Sequence, residues 1–174
     1  MFGFACNETP ELMPAPISFA HKLGRELTRL RKSGEIPWLR PGCARRRSRS
    51  NTTATSRCEP QQCVVSSQHS EDVKQKEVRE TLIELLIKKV IPAEWLDAKT
   101  TYLVNPTGRF VIGGPEGDAG ITGRKIICDT YGGMGRHGGG AFSGKDPTQG
   151  GSQRGLHGPL DSKECRSIRF GGSM

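Results

Sequence analysis

The stretch from Thr107 to Asp146 reads TGRFVIGGPEGDAGITGRKIICDTYGGMGRHGGGAFSGKD. From Gly108 to Asp146, 13 of 39 residues are glycine, and among them stand Arg109, Arg124, Lys125, Arg136, His137 and Lys145 with the acids Asp118, Asp129 and Asp146. A flexible glycine/serine spacer would lack the apolar runs Phe110-Val111-Ile112 and Ile126-Ile127-Cys128. Those runs predict two short buried strands framed by glycine turns. What remains is a set of loops with bare backbone N–H groups and fixed cations, an arrangement suited to phosphate oxygens.

Two familiar phosphate motifs fail here. Gly139 to Lys145 (GGAFSGK) satisfies GxxxxGK, but Asp146 stands where a Walker A loop needs a Ser or Thr to hold magnesium. Gly133 to Gly138 fits GxGxxG, which is a cheap match in glycine-rich sequence and has no Rossmann context around it.

Bulk properties narrow the classes. At 174 residues the chain is long enough for one domain with a real core. An apolar content of 33%, 23 glycines and a mean hydropathy of −0.53 are poor for a compact fold. No apolar run is long enough to span a membrane, and MFGFACNETPELMPAP lacks the basic and apolar regions of a signal peptide, so a cytoplasmic location is the default. The net charge of +8 and pI of 9.4 suggest a nucleic-acid partner at first sight. Most of that charge is confined, however, to Pro41–Cys63 (+4) and Gln149–Met174 (+2). Cysteines follow the same pattern: Cys43, Cys58, Cys63 and Cys165 lie in those stretches, leaving Cys6 and Cys128 elsewhere. No pair has CxxC spacing, so neither a metal site nor a disulfide framework is read, and no metal ligand is assigned.

In chain order, Ile17, Ala20, Leu23, Leu27 and Leu30 recur at helical spacing, Pro16 suits a helix N-terminus, and Ser33-Gly34 stops it. His21 on that helix reads as a solvated or packing histidine. After Cys63, Val64 and Val65 finish a strand. Ser70 is the expected N-cap of a second helix, with Glu71 and Asp72 in its first turn and Lys88-Lys89 in its last before Pro92. Val78, Leu82, Leu85, Leu86 and Val90 mark its buried face. Ser66-Ser67-Gln68-His69 forms no catalytic triad that sequence can assemble, and His69 reads as structural.

GRFVIGGPEGDAGITGRKIICDTYGG and HGGGAFSGKDPT together resemble S-adenosylmethionine synthetase (methionine adenosyltransferase) almost continuously for some forty residues. FGFACNETPELMPAPISFAHKLGRELTRLRKSGEIPWLRP and VVSSQHSEDVKQKEVRETLIELLIKKVIPAEWLD are similar to the family as well. The resemblance implies an α+β fold, one of three similar domains in a pseudo-threefold arrangement. It divides the chain into residues 1–40 (start of the central domain), 41–63 (aberrant), 64–106 (remainder of the central domain), 107–148 (start of the C-terminal domain) and 149–174 (aberrant tail).

It also implies the chemistry. The methionine sulfur attacks C5′ of ATP, and triphosphate leaves and is hydrolysed to phosphate and diphosphate. By the same resemblance Lys145, Arg124 and Lys125 bind the polyphosphate and are the catalytic candidates, stabilising charge that grows on the leaving group. Arg109 and Phe110 hold the nucleotide, Ala141 brings backbone close to it, and Asp118 faces adenosine and the methionine ammonium. His137, Asp129 and Asp146 are left open between substrate contact and loop orientation. Mg2+ and K+ are the implied cofactors, ATP and L-methionine the substrates, and a homo-oligomer (dimer or tetramer) the assembly. Neither a membrane nor nucleic acid is an expected partner. The rival reading is a non-catalytic, basic, glycine-rich protein that binds polyphosphate or RNA.

The departures set further expectations. GCARRRSRSNTTATSRCEPQQC matches nothing in the family. It reads either as a disordered basic loop or as a product of the wrong reading frame. Permitted codons for Arg45 to Pro60, read from each third base, give T-Q-V-T-V-E-Y-D-G-N-K-P-V-R-A, a hairpin pattern of the kind the family has here. Shifting Gln149 to Leu160 likewise gives K-V-D-R-S-A-A-Y-M-A-R, the family's continuation into a helix. Gln149 thus stands in place of a substrate-contacting lysine, and a magnesium-binding aspartate is missing. The family's H-P-D-K loop precedes Met1. The chain alone is therefore expected to be inactive, and loss of the hairpin to leave it marginally stable.

Overall fold

A computed structural model describes residues 2–41, 45–50, 60–121, 123–141, 144 and 146, with residues 45–50, 60 and 61 described by their backbone. They form two compact units: residues 18–120, and residues 1–17 together with 121–174.

The larger unit is a layer of helices on a three-stranded sheet, in keeping with the α+β expectation. Strand order is β1-β2-β3, with β1 Arg45–Ser50, β2 Pro60–Ser66 and β3 Thr101–Val104. β1 runs antiparallel to β2, from Arg45 opposite Ser66 to Ser50 opposite Pro60, with an irregularity between Arg49 and Ser50. β3 runs parallel to β2, pairing Gln62 with Thr101 through Val65 with Val104. A parallel neighbour needs a crossover, and helix α2 supplies it.

The expected loss of the strand pair ahead of β2 is corrected here: β1 exists in the aberrant stretch. A ladder is made by backbone N–H and C=O groups that every non-proline residue carries, so a run with poor strand propensity can still pair.

Helix α1 (Ala15–Ser33) ends where Gly34 adopts φ +77°, the left-handed C-terminal position that glycine fills at least cost. Phe19, Leu23, Leu27 and Leu30 are buried along it, and His21 is exposed as anticipated. Burying each leucine contributes roughly 1.5–3 kcal/mol relative to leaving it in water. The face continues through Ile36, Leu39, Cys63, Val65, Val78, Leu82, Leu86, Ile87, Ile91 and Val104 as one core cluster. Phe19 meets Trp95 edge-on at 5.2 Å and 71°.

Glu26 joins this packing electrostatically. It bonds Arg29 at 2.9 Å and Lys89 at 3.1 Å, tying α1 to the end of the second helix, while Arg29 also holds Glu35 at 2.6 Å. These cations, Arg29 before Lys89, hold the Glu26 carboxyl down at about 2.

The second helix departs from its expected form in two ways. Helix α2 is Gln75–Leu82, preceded by Lys74 without a side-chain cap. Ser70 is not the N-cap: its hydroxyl accepts from Arg40 Nε at 3.1 Å and lies 3.4 Å from the Trp38 carbonyl, five residues before the helix begins at Gln75. The helix then passes through a π turn, Ile83–Ile87, before a last α turn, Lys88–Val90. A π turn inserts one extra residue and rotates everything after it. Leu85, inside that turn, is 42% exposed instead of buried, and Ile87 and Ile91 join Leu82 and Leu86 in the core at 0% and 1%.

Neither predicted glycine-framed strand forms. Residues 126–128 sit in successive turns, closed locally by Asp129 N–H to Lys125 O at 3.0 Å and Gly132 N–H to Ile127 O at 2.9 Å, and Ile127 is 42% exposed. Residues 110–112 pair with residues 68 and 69 through side chains and one backbone bond, which is no ladder. In the smaller unit Tyr131 is buried, with the ring of Phe4 edge-on at 5.8 Å.

Candidate functional site

The loop carrying Arg109 and Phe110 leaves the end of β3 and is pinned to the segment that follows β2. Asn105 starts it. Its φ is +43°, a conformation asparagine tolerates better than most residues, and it is 2% exposed. Its amide substitutes for a strand residue: Ser67 N–H donates to Asn105 Oδ1 at 2.8 Å and Asn105 Nδ2 donates to the Ser67 carbonyl at 3.0 Å. Its own N–H donates to the Val65 carbonyl at 2.9 Å, so the pairing of β2 and β3 extends by one position through a side chain. A turn from Asn105 to Gly108 follows, closed at 2.9 Å.

His69 and Gln68 then catch the loop. His69 N–H donates to the Phe110 carbonyl at 2.9 Å, and Phe110 N–H donates to His69 Nε2 at 3.2 Å. The other ring nitrogen, Nδ1, lies 2.8 Å from the Ser70 carbonyl. A nitrogen that accepts from an N–H carries no proton, and a nitrogen facing a carbonyl must donate. His69 is therefore the neutral Nδ1–H tautomer, 1% exposed. Gln68 Nε2 donates to the Val111 carbonyl at 2.6 Å. Gly113 closes over that side chain: a Cβ there would lie 2.9 Å from Gln68 Cδ and 3.0 Å from Phe110 Cε2. Residues 68–70 are held from their other side by Arg40 N–H to Gln68 O at 3.1 Å and Ser70 N–H to Trp38 O at 2.9 Å.

The backbone of Arg109 and Phe110 is thus fixed, while their side chains are presented. Arg109 is exposed; its Nη2 donates to the Glu71 carbonyl at 3.0 Å and lies 3.6 Å from the Glu71 carboxylate. Phe110 is half-buried. Asp118 is exposed at the end of the same loop, where its N–H closes a turn onto the Gly114 carbonyl at 3.0 Å. These three sequence-predicted residues share the larger unit.

Arg124, Lys125 and Ala141 belong to the smaller unit. Arg124 and Lys125 are exposed and form no ion pair among the described residues; Ala141 is half-buried. His137 Nδ1 accepts from Gly139 N–H at 2.8 Å and so braces the glycine run ahead of Ala141. The expectation for Lys145 falls outside the described residues. Among the described residues no group of three or more His, Cys, Asp or Glu side chains is arranged to hold a metal ion, and no helix is long and apolar enough to cross a membrane.

Sequence reasoning undervalued Gln68, His69 and Asn105 as loop-holding residues. Asn105-Pro106-Thr107-Gly108 does carry a turn signature, but no periodicity announces a side-chain amide that completes a sheet or an imidazole that accepts from a backbone N–H.

One unit thus presents an arginine and an aromatic residue on a braced loop of an α+β layer, and the other presents exposed cations between glycine turns. The family is specified by comparison. The profile of the S-adenosylmethionine synthetase central domain matches residues 1–110, and that of its C-terminal domain matches residues 112–151. The chain belongs to the S-adenosylmethionine synthetase family. It is 60% identical over 153 residues to the S-adenosylmethionine synthase of Roseiflexus castenholzii, across 86% of this chain and 36% of that protein. Similar matches are the S-adenosylmethionine synthases of Streptococcus suis, 57% over 149 residues, and Akkermansia muciniphila, 58% over 149 residues; each covers 86% of this chain and 38% of the relative. The chain thus spans little more than a third of the length of these relatives.

Proposed function

We propose that this chain supplies part of the active site of a methionine adenosyltransferase, which forms S-adenosylmethionine from ATP and L-methionine. The observation that supports this most is that two successive domain models of the family meet within the glycine-rich stretch, whose first cation sits on a loop braced by Gln68, His69 and Asn105.

In this reading the methionine sulfur forms a bond to ribose C5′ as the C5′–O bond breaks, and triphosphate departs with the electron pair. Arg109 and Phe110 hold the nucleotide, with the guanidinium exchanging its exposed Glu71 contact for ligand. Asp118, acceptor-only when ionised, takes the methionine ammonium and meets the adenosine. Arg124, Lys125 and Lys145 lie along the polyphosphate, where fixed cations stabilise the leaving group more than the bound substrate. Ala141 allows a close backbone approach. Mg2+ and K+ are the proposed cofactors. The described residues do not form a site that fits a metal, so those ions would be held by other segments and no step here is assigned to them. The proposed setting is a cytoplasmic homo-oligomer.

The domain limits are proposed as residues 1–40, 64–106 and 107–148, with 41–63 and 149–174 translated out of frame. That the C-terminal family match stops at residue 151 supports the second shift. Sequencing the coding DNA across Pro41 to Cys63 and at Thr148 tests this; intact frames would refute it. For the activity, the chain is combined with the segments of the Roseiflexus castenholzii relative that precede and follow the matched region, then supplied with ATP, methionine, Mg2+ and K+. Chromatographic detection of S-adenosylmethionine with phosphate and diphosphate is the expected result. Product formation unchanged by Arg124→Ala and Lys145→Ala would overturn the roles assigned to those residues.

A further inference from the structure

Resting on the reading of Arg109 and Phe110 as nucleotide contacts, we infer that His69 is a positioning residue, whose neutral imidazole sets the pose of that pair by accepting the Phe110 N–H. His69 touches no proposed substrate itself. It is 1% exposed, and both its ring nitrogens are committed to backbone partners.

The geometry makes the histidine hard to replace. Its backbone N–H bonds the Phe110 carbonyl at 2.9 Å while its ring, from the same residue, bonds the Phe110 N–H at 3.2 Å. Phe110 is thus gripped at both ends of its backbone by one residue, as a strand partner would grip it, although no strand forms there. The ring reaches only because Nδ1 is anchored on the Ser70 carbonyl at 2.8 Å, which fixes both tautomer and ring plane. Gln68 extends the grip to Val111, and Gly113 leaves room for the Gln68 side chain. The guanidinium of Arg109 is aimed from this fixed backbone, with Glu71, two residues after His69, as its resting partner at 3.6 Å. A ligand contact depends steeply on such placement, because a misplacement of about 1 Å can cost on the order of a hundredfold.

Glutamine in place of histidine keeps an acceptor near the position of Nε2; leucine keeps the bulk and removes the acceptor. The test uses the full chain and ATP as the probe, with wild type, His69→Gln, His69→Leu and Arg109→Ala titrated calorimetrically and their folds checked by circular dichroism. His69→Leu is expected to weaken ATP binding on the order of tenfold, His69→Gln to stay within about twofold of wild type, and Arg109→Ala to match the leucine variant. In wild type the ring 15N shifts are expected to report Nδ1–H and an unprotonated Nε2, a signature that needs no variant to fold. A proton found on Nε2, or equal ATP affinity in a folded His69→Leu chain, would overturn the inference. Unchanged affinity in Arg109→Ala would instead overturn the nucleotide role of Arg109 on which it rests; the tautomer signature separates the two failures.

Discussion

Replacing Asn105 with alanine removes an amide that completes the sheet at the base of the candidate site. Two bonds to Ser67 are lost, at 2.8 and 3.0 Å, and Ser67 is 1% exposed, so its N–H and carbonyl are left without those partners. Leaving a buried polar group unsatisfied costs about 1–3 kcal/mol, and two such groups give roughly 2–6 kcal/mol, of which water entry recovers part. Alanine at φ +43° adds roughly 1–2 kcal/mol of left-handed strain. The net expectation is a loss of about 3–5 kcal/mol, large against the 5–15 kcal/mol of an ordinary domain. Asn105→Gly removes the same bonds without the steric strain, so the two variants are expected to differ by roughly 1 kcal/mol. Urea titrations followed by circular dichroism at 222 nm, with both variants alongside wild type, provide the measurement. A cost below about 1 kcal/mol for Asn105→Ala would refute the claim that its side chain serves as a strand residue.

Other outcomes follow from the same structure. Gly113→Ala is expected to loosen the grip of Gln68 on Val111, because the new Cβ would lie 2.9 Å from Gln68 Cδ; accelerated amide exchange at residues 110–113 is the readout, and unchanged exchange would contradict it. Ile87→Ala should cost about 2–5 kcal/mol in urea titrations, whereas Leu85→Ala should cost under about 1 kcal/mol; equal costs would argue against the π turn. The Glu26 carboxyl titrates near 2 when folded, below its ordinary 4.5, so the unfolded chain binds the proton first as pH falls. Its stabilisation is fully present above about pH 4.5 and disappears toward pH 2. The stability gap between wild type and Glu26→Gln should therefore narrow over that window, and a gap that persists at pH 2 would contradict the assigned ion pairs.

Where the fold was legible, one physical rule acted alone. Helix α1 follows from leucines at 23, 27 and 30 and a glycine at 34, because packing and chain reversal there depend on side-chain spacing and backbone freedom. The second helix was legible in kind but not in phase, since nothing in ETLIELLIKK marks the π turn that exchanges Leu85 for Ile87. Phe110-Val111-Ile112 has strand composition, yet an imidazole and an amide side chain occupy the positions a partner strand would take. Ile126-Ile127-Cys128 likewise has strand composition without a ladder partner among the described residues, and it coils into turns. The resemblance singles out Arg109 and Phe110, while the residues that hold their loop are not legible, because their work is done by side chains substituting for backbone. β1 makes the opposite point: an arginine-rich run that lacks strand composition pairs through backbone groups that composition does not report.

The central claim is that cations spaced by glycines grip the phosphate tail of a nucleotide. Isothermal titration of the intact chain with ATP, with Arg124→Ala and Lys145→Ala in parallel, addresses it most directly. Saturable binding to wild type, weakened on the order of tenfold by either substitution, is the predicted result, as expected when a charged contact of roughly 1.4 kcal/mol or more is removed. No heat of binding in wild type, or identical affinity in all three chains, would contradict it.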